Sequence, residues 1–100
     1  MTVIVAGEIK INPAGRDGAL DLLGPFVAAT RAEQGCIAYG FYEDLTQPGT
    51  IRLYEEWADE AALDAHMATP HMAEFNARIG EIEVLSVSVK FFKAEEFQRG

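Results

Sequence analysis

The order in which two hydrophobic periodicities follow one another is the strongest constraint on how this chain can fold. Four stretches alternate apolar and polar side chains with the period of two that a β-strand requires, and longer stretches between them repeat apolar residues every three to four positions, as helices do. The predicted strands cover residues 2–11, 36–44, 50–57 and 82–92, and the predicted helices cover 13–33, 60–68 and 70–79. This order predicts an α+β fold of the ferredoxin-like, split β-α-β type, with a four-stranded antiparallel sheet and helices on one face.

Short local signals mark where these helices begin and end. The dipeptides Asn12-Pro13 and Thr69-Pro70 each combine a capping side chain with a proline that fits the first helical turn, and Asp59 is a third N-cap. Gly35 predicts a left-handed helix terminator. Gly24-Pro25 falls inside the first helix, where a proline removes a backbone hydrogen bond, so we expect a kink or two short helices there.

Composition limits the classes of partner. One hundred residues with 49% apolar content suit a single domain over residues 1–100, because a second core would bury too little area to offset its chain entropy. The net charge of −8 repels phosphate backbones and anionic lipids, so we expect neither nucleic acid nor membrane as a partner.

The single cysteine, Cys36, excludes an intramolecular disulfide and a zinc site built on several thiolates. With no leader pattern and no long apolar run, the expected location is cytoplasmic.

Both faces of the predicted sheet carry apolar residues. In the second strand, Ile37, Tyr39 and Phe41 are predicted to share one face. The first, second and last strands also keep apolar side chains on the face away from the helices, and that face needs a cover. We expect a second copy of the chain to supply it, in a homodimer joined through the sheet face by a two-fold axis, with the two sheets forming a barrel-like interface.

Glu55 is the one carboxylate on an otherwise apolar stripe of the third strand, which also carries Trp57. Such a carboxylate either pairs with a base such as Arg31, Arg52 or His66, or lies in a pocket where desolvation raises its pKa. A purely structural hydrogen bond is the alternative. Trp57 is predicted to lie in the core or to form a flat pocket wall.

The two histidines are the other candidates for polar chemistry. His66 and His71 are five residues apart with Thr69-Pro70 between them, so they are not expected to lie one turn apart on a single helix, as a metal-binding pair would. No metal site is therefore expected. His66 is either a buried, hydrogen-bonded side chain or a functional base. Aromatic residues that line a cavity or belong to the core are Tyr39, Phe41, Tyr42, Tyr54 and Phe75.

Three motifs resemble those of the antibiotic biosynthesis monooxygenase domain family, and most closely its small bacterial quinol monooxygenases. They are Glu33-x-Gly35-Cys36-x-x-Tyr39, then Glu55-x-Trp57, and finally Leu63-x-x-His66-x-x-Thr69-Pro70-His71-Met72. The motifs cover about half of the chain, and the order of the predicted elements extends the match to nearly all of it. The resemblance implies a dimeric α+β barrel.

The activity that the resemblance implies is cofactor-independent monooxygenation of a quinol or related planar phenol by molecular oxygen. The substrate is deprotonated, passes an electron to oxygen and recombines with it, so a small aromatic substrate and oxygen are the expected partners and no cofactor is expected. In this reading His66 is the base and Glu55 orients it. The residues assigned to substrate binding are Trp57 and Tyr42 or Tyr54 as walls, Phe75 in the cavity and His71 near the entrance.

Three other functions remain open. The same pocket would serve a non-catalytic ligand-binding or stress-response dimer. Haem degradation is disfavoured because that subgroup is expected to carry an asparagine within its first strand, where this chain has Ala6-Gly7-Glu8. Isomerisation of a sugar phosphate requires a cationic pocket and is disfavoured because only eight lysines and arginines serve the whole chain, although Arg31, Arg52 and Arg78 are able to form one.

Overall fold

One four-stranded sheet with three helices on one face makes up the fold. The computed structural model describes all 100 residues. Its elements are β1 (Thr2–Ile11), α1 (Arg16–Arg31), β2 (Cys36–Glu43), β3 (Thr50–Trp57), α2 (Glu60–Met67), α3 (Pro70–Arg78) and β4 (Val84–Ala94), with short 3-10 turns at Pro13–Gly15 and Ile79–Glu81. The strand order is β2-β3-β1-β4 and every pairing is antiparallel. This confirms the predicted α+β, ferredoxin-like architecture.

The predicted caps determine where α2 and α3 begin. The Asp59 side chain accepts a hydrogen bond from the backbone N–H of Ala62 at 2.8 Å, and the Thr69 hydroxyl accepts one from Met72 at 3.2 Å. Gly35 has a φ of 84°, the left-handed conformation that ends the first helical segment and turns the chain into β2. These local signals bring both helices back over the sheet.

The first helix differs from the prediction at both ends and in its middle. Asn12 caps only a 3-10 turn, so α1 begins at Arg16, and it ends at Arg31 rather than Glu33. It runs through Pro25 as one helix instead of dividing into two. Buried residues on either side of the proline, Leu22 and Phe26, anchor both halves to the core, and this packing outweighs the lost backbone hydrogen bond.

Because of a β-bulge at the start of β2, Ile37 does not share a face with Tyr39 and Phe41 as predicted. Cys36 pairs with Trp57 and Ala38 pairs with Glu56, so Ile37 is the extra residue and its side chain is 56% exposed. The bulge turns Cys36 toward the core, where it packs against the buried cluster that includes Trp57 and Tyr39. The predicted alternation therefore holds only from Ala38 onward.

The helices cover β1, β2 and β3 and leave β4 largely uncovered. Val3, Val5, Tyr39 and Trp57 form the buried centre beneath them. On the same side of the sheet, the β4 side chains remain open, with Val87, Val89 and Phe91 exposed by 60%, 37% and 65%. The result is an open apolar space between β4 and the helix pair α2–α3. None of the three helices combines the length and the apolar character that a membrane span requires.

Candidate active site

A cavity of about 590 Å³ lies between the helix-facing side of the sheet and α2–α3, a volume typical of small-molecule sites. Fifteen of its eighteen lining residues are hydrophobic. Apart from the Tyr39 hydroxyl, the only polar side chains in the lining are the Glu55 carboxyl and the His66 imidazole. A ligand held here is therefore mainly apolar and meets one acid and one imidazole.

His66 is held by a carboxylate that reaches it from a distant part of the chain. It lies in the last turn of α2 and is 2% exposed. Its Nδ1 is 2.7 Å from Oε2 of Glu33, and Nε2 of His71 is also 2.7 Å from that same oxygen. As a carboxylate, Glu33 accepts a hydrogen bond from both rings, which places the proton on Nδ1 of His66 and on Nε2 of His71.

The second ring nitrogen of His66 is left free as a proton acceptor. Nε2 of His66 makes no hydrogen bond in the structure. Every side-chain nitrogen or oxygen that is fully shielded from solvent has a hydrogen-bond partner, so Nε2 is not one of the fully shielded atoms. This nitrogen therefore keeps some solvent-accessible surface, and because His66 lines the cavity, we infer that Nε2 faces it. A neutral imidazole with an oriented, accessible lone pair has the geometry of a general base.

Three aromatic rings fix the plane of the imidazole. The Trp57 ring lies 4.9 Å from it, centroid to centroid, at 35°, and Tyr39 and Phe26 lie at 5.6 and 5.9 Å. Trp57 is itself fully buried. The His66 ring thus has both a hydrogen bond and packing contacts to hold it, which is what preorganisation of a reacting group requires.

Glu55 lies in the same cavity with a different partner. Its Oε1 accepts a hydrogen bond from Nε1 of Trp57 at 2.9 Å, and the residue is 5% exposed. Burial raises the pKa of the Glu55 carboxyl, and the Trp57 hydrogen bond and the nearby His66 only partly oppose that shift. A carboxyl of this kind is able to hold a proton and donate it to a bound ligand.

Two further groups next to these carboxylates are kept neutral. Burial raises the pKa of the Tyr39 hydroxyl, with a smaller contribution from Glu55, and burial together with Glu33 raises the pKa of the Cys36 thiol. Neither side chain is activated as a nucleophile, because ionisation would place another negative charge beside the two carboxylates.

The structure brings together only part of the predicted site. Glu55, His66 and Phe75 line the cavity as expected. Trp57 does not form a wall, because it lies behind His66 in the core. His71 opens instead onto a separate space of about 160 Å³ between α1 and α3.

The predicted tyrosine walls lie elsewhere. Tyr42 and Tyr54 are 53% and 37% exposed on the sheet face away from the helices, and neither lines the cavity. The Tyr54 hydroxyl donates to Glu56, a neighbour on that outer face, at 3.1 Å. The walls of the cavity are aliphatic and phenyl side chains, including Leu53, Val89 and Phe91.

Sequence reasoning missed Glu33 and misjudged the histidines. The predicted partner of His66 was Glu55, whereas the hydrogen bond comes from Glu33, which follows α1 by two residues. His66 and His71 lie on different helices, α2 and α3, as expected, but the fold still brings both rings to one carboxylate oxygen, which the sequence did not predict. Glu33 belongs to the motif Glu33-x-Gly35-Cys36, and that was the only signal of its role in the sequence.

Comparison with protein families matches residues 2–78 to the model described as "Antibiotic biosynthesis monooxygenase". An uncharacterised Synechocystis protein, sll1783, is 35% identical over 96% of this chain, which spans 65% of that protein's length. The Mycobacterium tuberculosis protein "Putative monooxygenase Rv0793" is 33% identical, with 87% of this chain and 85% of that protein aligned. "Probable quinol monooxygenase YgiN" of Escherichia coli is 27% identical, with 89% and 94% aligned.

The solved structures agree with this assignment. Rv0793 from Mycobacterium tuberculosis superposes with a TM-score of 0.85 at 29% identity, covering 99% of this chain and 100% of that one. A conserved protein from Methanosarcina mazei gives a TM-score of 0.87 at 25% identity, covering 95% and 94%. The whole fold, including β4 beyond the matched family region, is therefore shared with these proteins.

Proposed function

Because the chain belongs to the antibiotic biosynthesis monooxygenase family, we propose that it is a cofactor-independent monooxygenase that oxidises a quinol or related planar phenol with molecular oxygen. The observation that carries this proposal is the free Nε2 of His66, oriented by Glu33 and opening into an apolar cavity. The names of the relatives support it, since two of them are called monooxygenases and one of these a quinol monooxygenase.

The reaction needs a base, an apolar space and a proton donor. Nε2 of His66 removes the phenolic proton, and the resulting anion passes one electron to oxygen to give a substrate radical and superoxide. The two combine at a ring carbon that carried hydrogen. The imidazolium returns its proton to the resulting peroxide, giving a hydroperoxide and the neutral base. Loss of water from the hydroperoxide breaks the O–O bond and removes the hydrogen of that ring carbon, so one oxygen atom leaves as water and the other remains as the carbonyl of a quinone.

Glu55 is positioned to bind the substrate rather than to orient the base. Burial raises the pKa of this carboxyl, so it takes up a proton more readily than an exposed one, and in its protonated form it donates a hydrogen bond to a substrate oxygen. The Trp57 N–H holds the other side of that carboxyl at 2.9 Å. His66 and Glu55 then contact different parts of one planar molecule.

Charge distribution argues against the sugar-phosphate alternative. No lysine or arginine lines the cavity. Arg52 is paired with Glu8 at 2.8 Å, Arg78 is paired with Glu81 at 3.0 Å, and Arg31 donates to a backbone carbonyl. A phosphate in this cavity would meet no cation, so an uncharged aromatic substrate fits better.

Oxygen uptake by the metal-stripped protein tests the proposal. With a panel of reduced quinols and anthrones, we expect saturable uptake, one quinone per oxygen consumed, and a fall of about 10²–10⁴-fold in His66→Ala. Asp21→Asn is the control, because it removes an exposed carboxylate on α1 away from the cavity and should leave uptake unchanged. Full turnover by His66→Ala would show that another group is the base.

The competing function is ligand binding without turnover. The open apolar cavity is enough for binding, and no catalytic residue would be needed. In that case uptake stays at the autoxidation rate across the whole panel, while the same compounds still raise the melting temperature of the wild type and of His66→Ala.

We also propose that the chain forms a homodimer through the sheet face that no helix covers. That face exposes large side chains, with Tyr42 at 53%, Tyr54 at 37% and Phe92 at 48%. Burying them against a second copy removes apolar surface from water without any new element. Size-exclusion chromatography with light scattering should give about twice the 10.9 kDa chain mass, and a monomer at micromolar concentration would contradict the proposal.

A further inference from the structure

Three side chains with metal-ligating atoms converge at one point although they come from separate segments. Glu33 follows α1, His66 ends α2 and His71 lies in the first turn of α3. Both imidazole nitrogens are 2.7 Å from Oε2 of Glu33, and all three ligand atoms lie within 4.8 Å of one another. They are 12%, 2% and 23% exposed as side chains, so the cluster is sheltered but reachable through His71.

The donor set matches a known coordination preference. Imidazole nitrogens suit zinc, copper, iron, cobalt and nickel, and two histidines with one carboxylate leave further coordination positions for water. No lysine or arginine pairs with Glu33, so the negative charge of the cluster is not cancelled by a fixed cation. We propose that Glu33, His66 and His71 form a binding site for a divalent first-row transition metal ion, of the class of Zn²⁺ and Co²⁺.

The geometry needs only side-chain adjustment. Ligands about 2.1 Å from a metal are separated by about 3.0 Å at right angles and about 3.4 Å in a tetrahedron. The two hydrogen-bond distances of 2.7 Å lengthen slightly when an ion replaces the two protons. His71 has room for this movement because it borders the 160 Å³ space between α1 and α3, which also contains the Glu74 carboxylate.

Metal binding and base catalysis exclude each other at His66. A metal on Nδ1 requires the ring proton to move to Nε2, which changes the cavity-facing nitrogen from an acceptor to a donor. The ion would therefore switch off proton abstraction while leaving the cavity intact. The site goes beyond the proposed oxygenase reaction and does not depend on it, because the ligands converge whether or not the chain turns over.

The two histidines make the site directly observable. They are the only ones in the chain, so ring ¹⁵N resonances of untagged, histidine-labelled protein belong to this cluster alone. Without metal, long-range ¹H–¹⁵N spectra should show the proton on Nδ1 of His66 and on Nε2 of His71. One equivalent of Zn²⁺ should move it to Nε2 of His66 and to Nδ1 of His71.

Affinity measurements complete the test. In a Cys36→Ser background, which removes the only thiol, calorimetry and visible absorption should report one Co²⁺ per chain. Glu33→Gln and His71→Ala should each weaken binding at least tenfold, whereas Glu95→Gln, which removes an exposed carboxylate, should not. Unchanged tautomers at saturating Zn²⁺, or equal Co²⁺ affinity in wild type and Glu33→Gln, would overturn the proposal. If a variant fails to fold, the spectra of the wild type decide.

Discussion

Replacing Trp57 by phenylalanine removes the only hydrogen-bond donor that the structure gives to the Glu55 carboxyl. The indole N–H lies 2.9 Å from Oε1, and both residues are buried. While the Glu55 carboxyl is ionised, a hydrogen bond to it contributes about 1.5–3 kcal/mol. The smaller ring leaves out about three heavy atoms, worth about 2 kcal/mol of apolar burial. We expect Trp57→Phe to lower the free energy of unfolding by about 3–5 kcal/mol.

A double-mutant cycle separates the hydrogen bond from the packing. In Glu55→Leu the buried Trp57 N–H loses its acceptor, at a cost of about 1–3 kcal/mol. In the double variant neither polar group remains, so mainly the packing loss of about 2 kcal/mol is left. The double variant should therefore be more stable than the sum of the single effects predicts, by at least about 1.5 kcal/mol.

Urea denaturation at one fixed protein concentration measures the four free energies, because the stability of an oligomer depends on concentration. The slope of each transition should stay the same, which shows that the same surface is exposed on unfolding in each variant. Effects that add within about 0.5 kcal/mol would refute the conclusion that Trp57 stabilises the Glu55 carboxyl.

Three further outcomes follow from the same structure. Burial raises the pKa of Glu55, so its protonated form stabilises the fold fully below the ordinary pKa of 4.5, and this stability is lost as pH rises through the higher pKa of the folded state. Relative to wild type, Glu55→Gln should therefore gain melting temperature as pH rises above 4.5. A difference in melting temperature that stays constant with pH would contradict this. Gly35→Ala should lose about 1–3 kcal/mol, because φ is +84° and the new Cβ lies 2.6 Å from that of Ala62. Gly18→Ala, in α1 with nothing within 4 Å, is the matched control and should instead gain about 0.5–1 kcal/mol in the same denaturation assay. A loss in both glycine variants would show that the left-handed turn is not the cause.

The fold was predictable because its signals are local. The caps at Asp59 and Thr69 and the turn at Gly35 act within a few residues, and the alternation of each strand is readable without knowledge of its neighbours. The bulge that exposes Ile37 could not be predicted from the sequence of β2 alone, because it arises from how β2 is paired with β3. Tertiary packing also kept α1 continuous through Pro25.

The site was predictable only in part, for a different reason. His66 and Glu55 stood out because each is a polar residue on an apolar face. Glu33 gave no such signal, because it simply follows a helix. Its partners His66 and His71 lie 33 and 38 residues further along the chain, and the contacts depend on how α2 and α3 pack. Tyr42 and Tyr54 were assigned by residue type, and strand parity placed them on the other face of the sheet.

The position of Trp57 has a spectroscopic consequence. It is the only tryptophan of the chain, and it is fully buried. Its indole lies 4.9 Å from the His66 imidazole, centroid to centroid, at a tilt of 35°, and its N–H donates to Glu55. Intrinsic fluorescence excited at the red edge of the absorption band therefore comes from a single indole. A charged imidazole quenches such emission more strongly than a neutral one. The protein carries a built-in, label-free optical probe whose intensity reports changes at the His66 ring during binding and turnover.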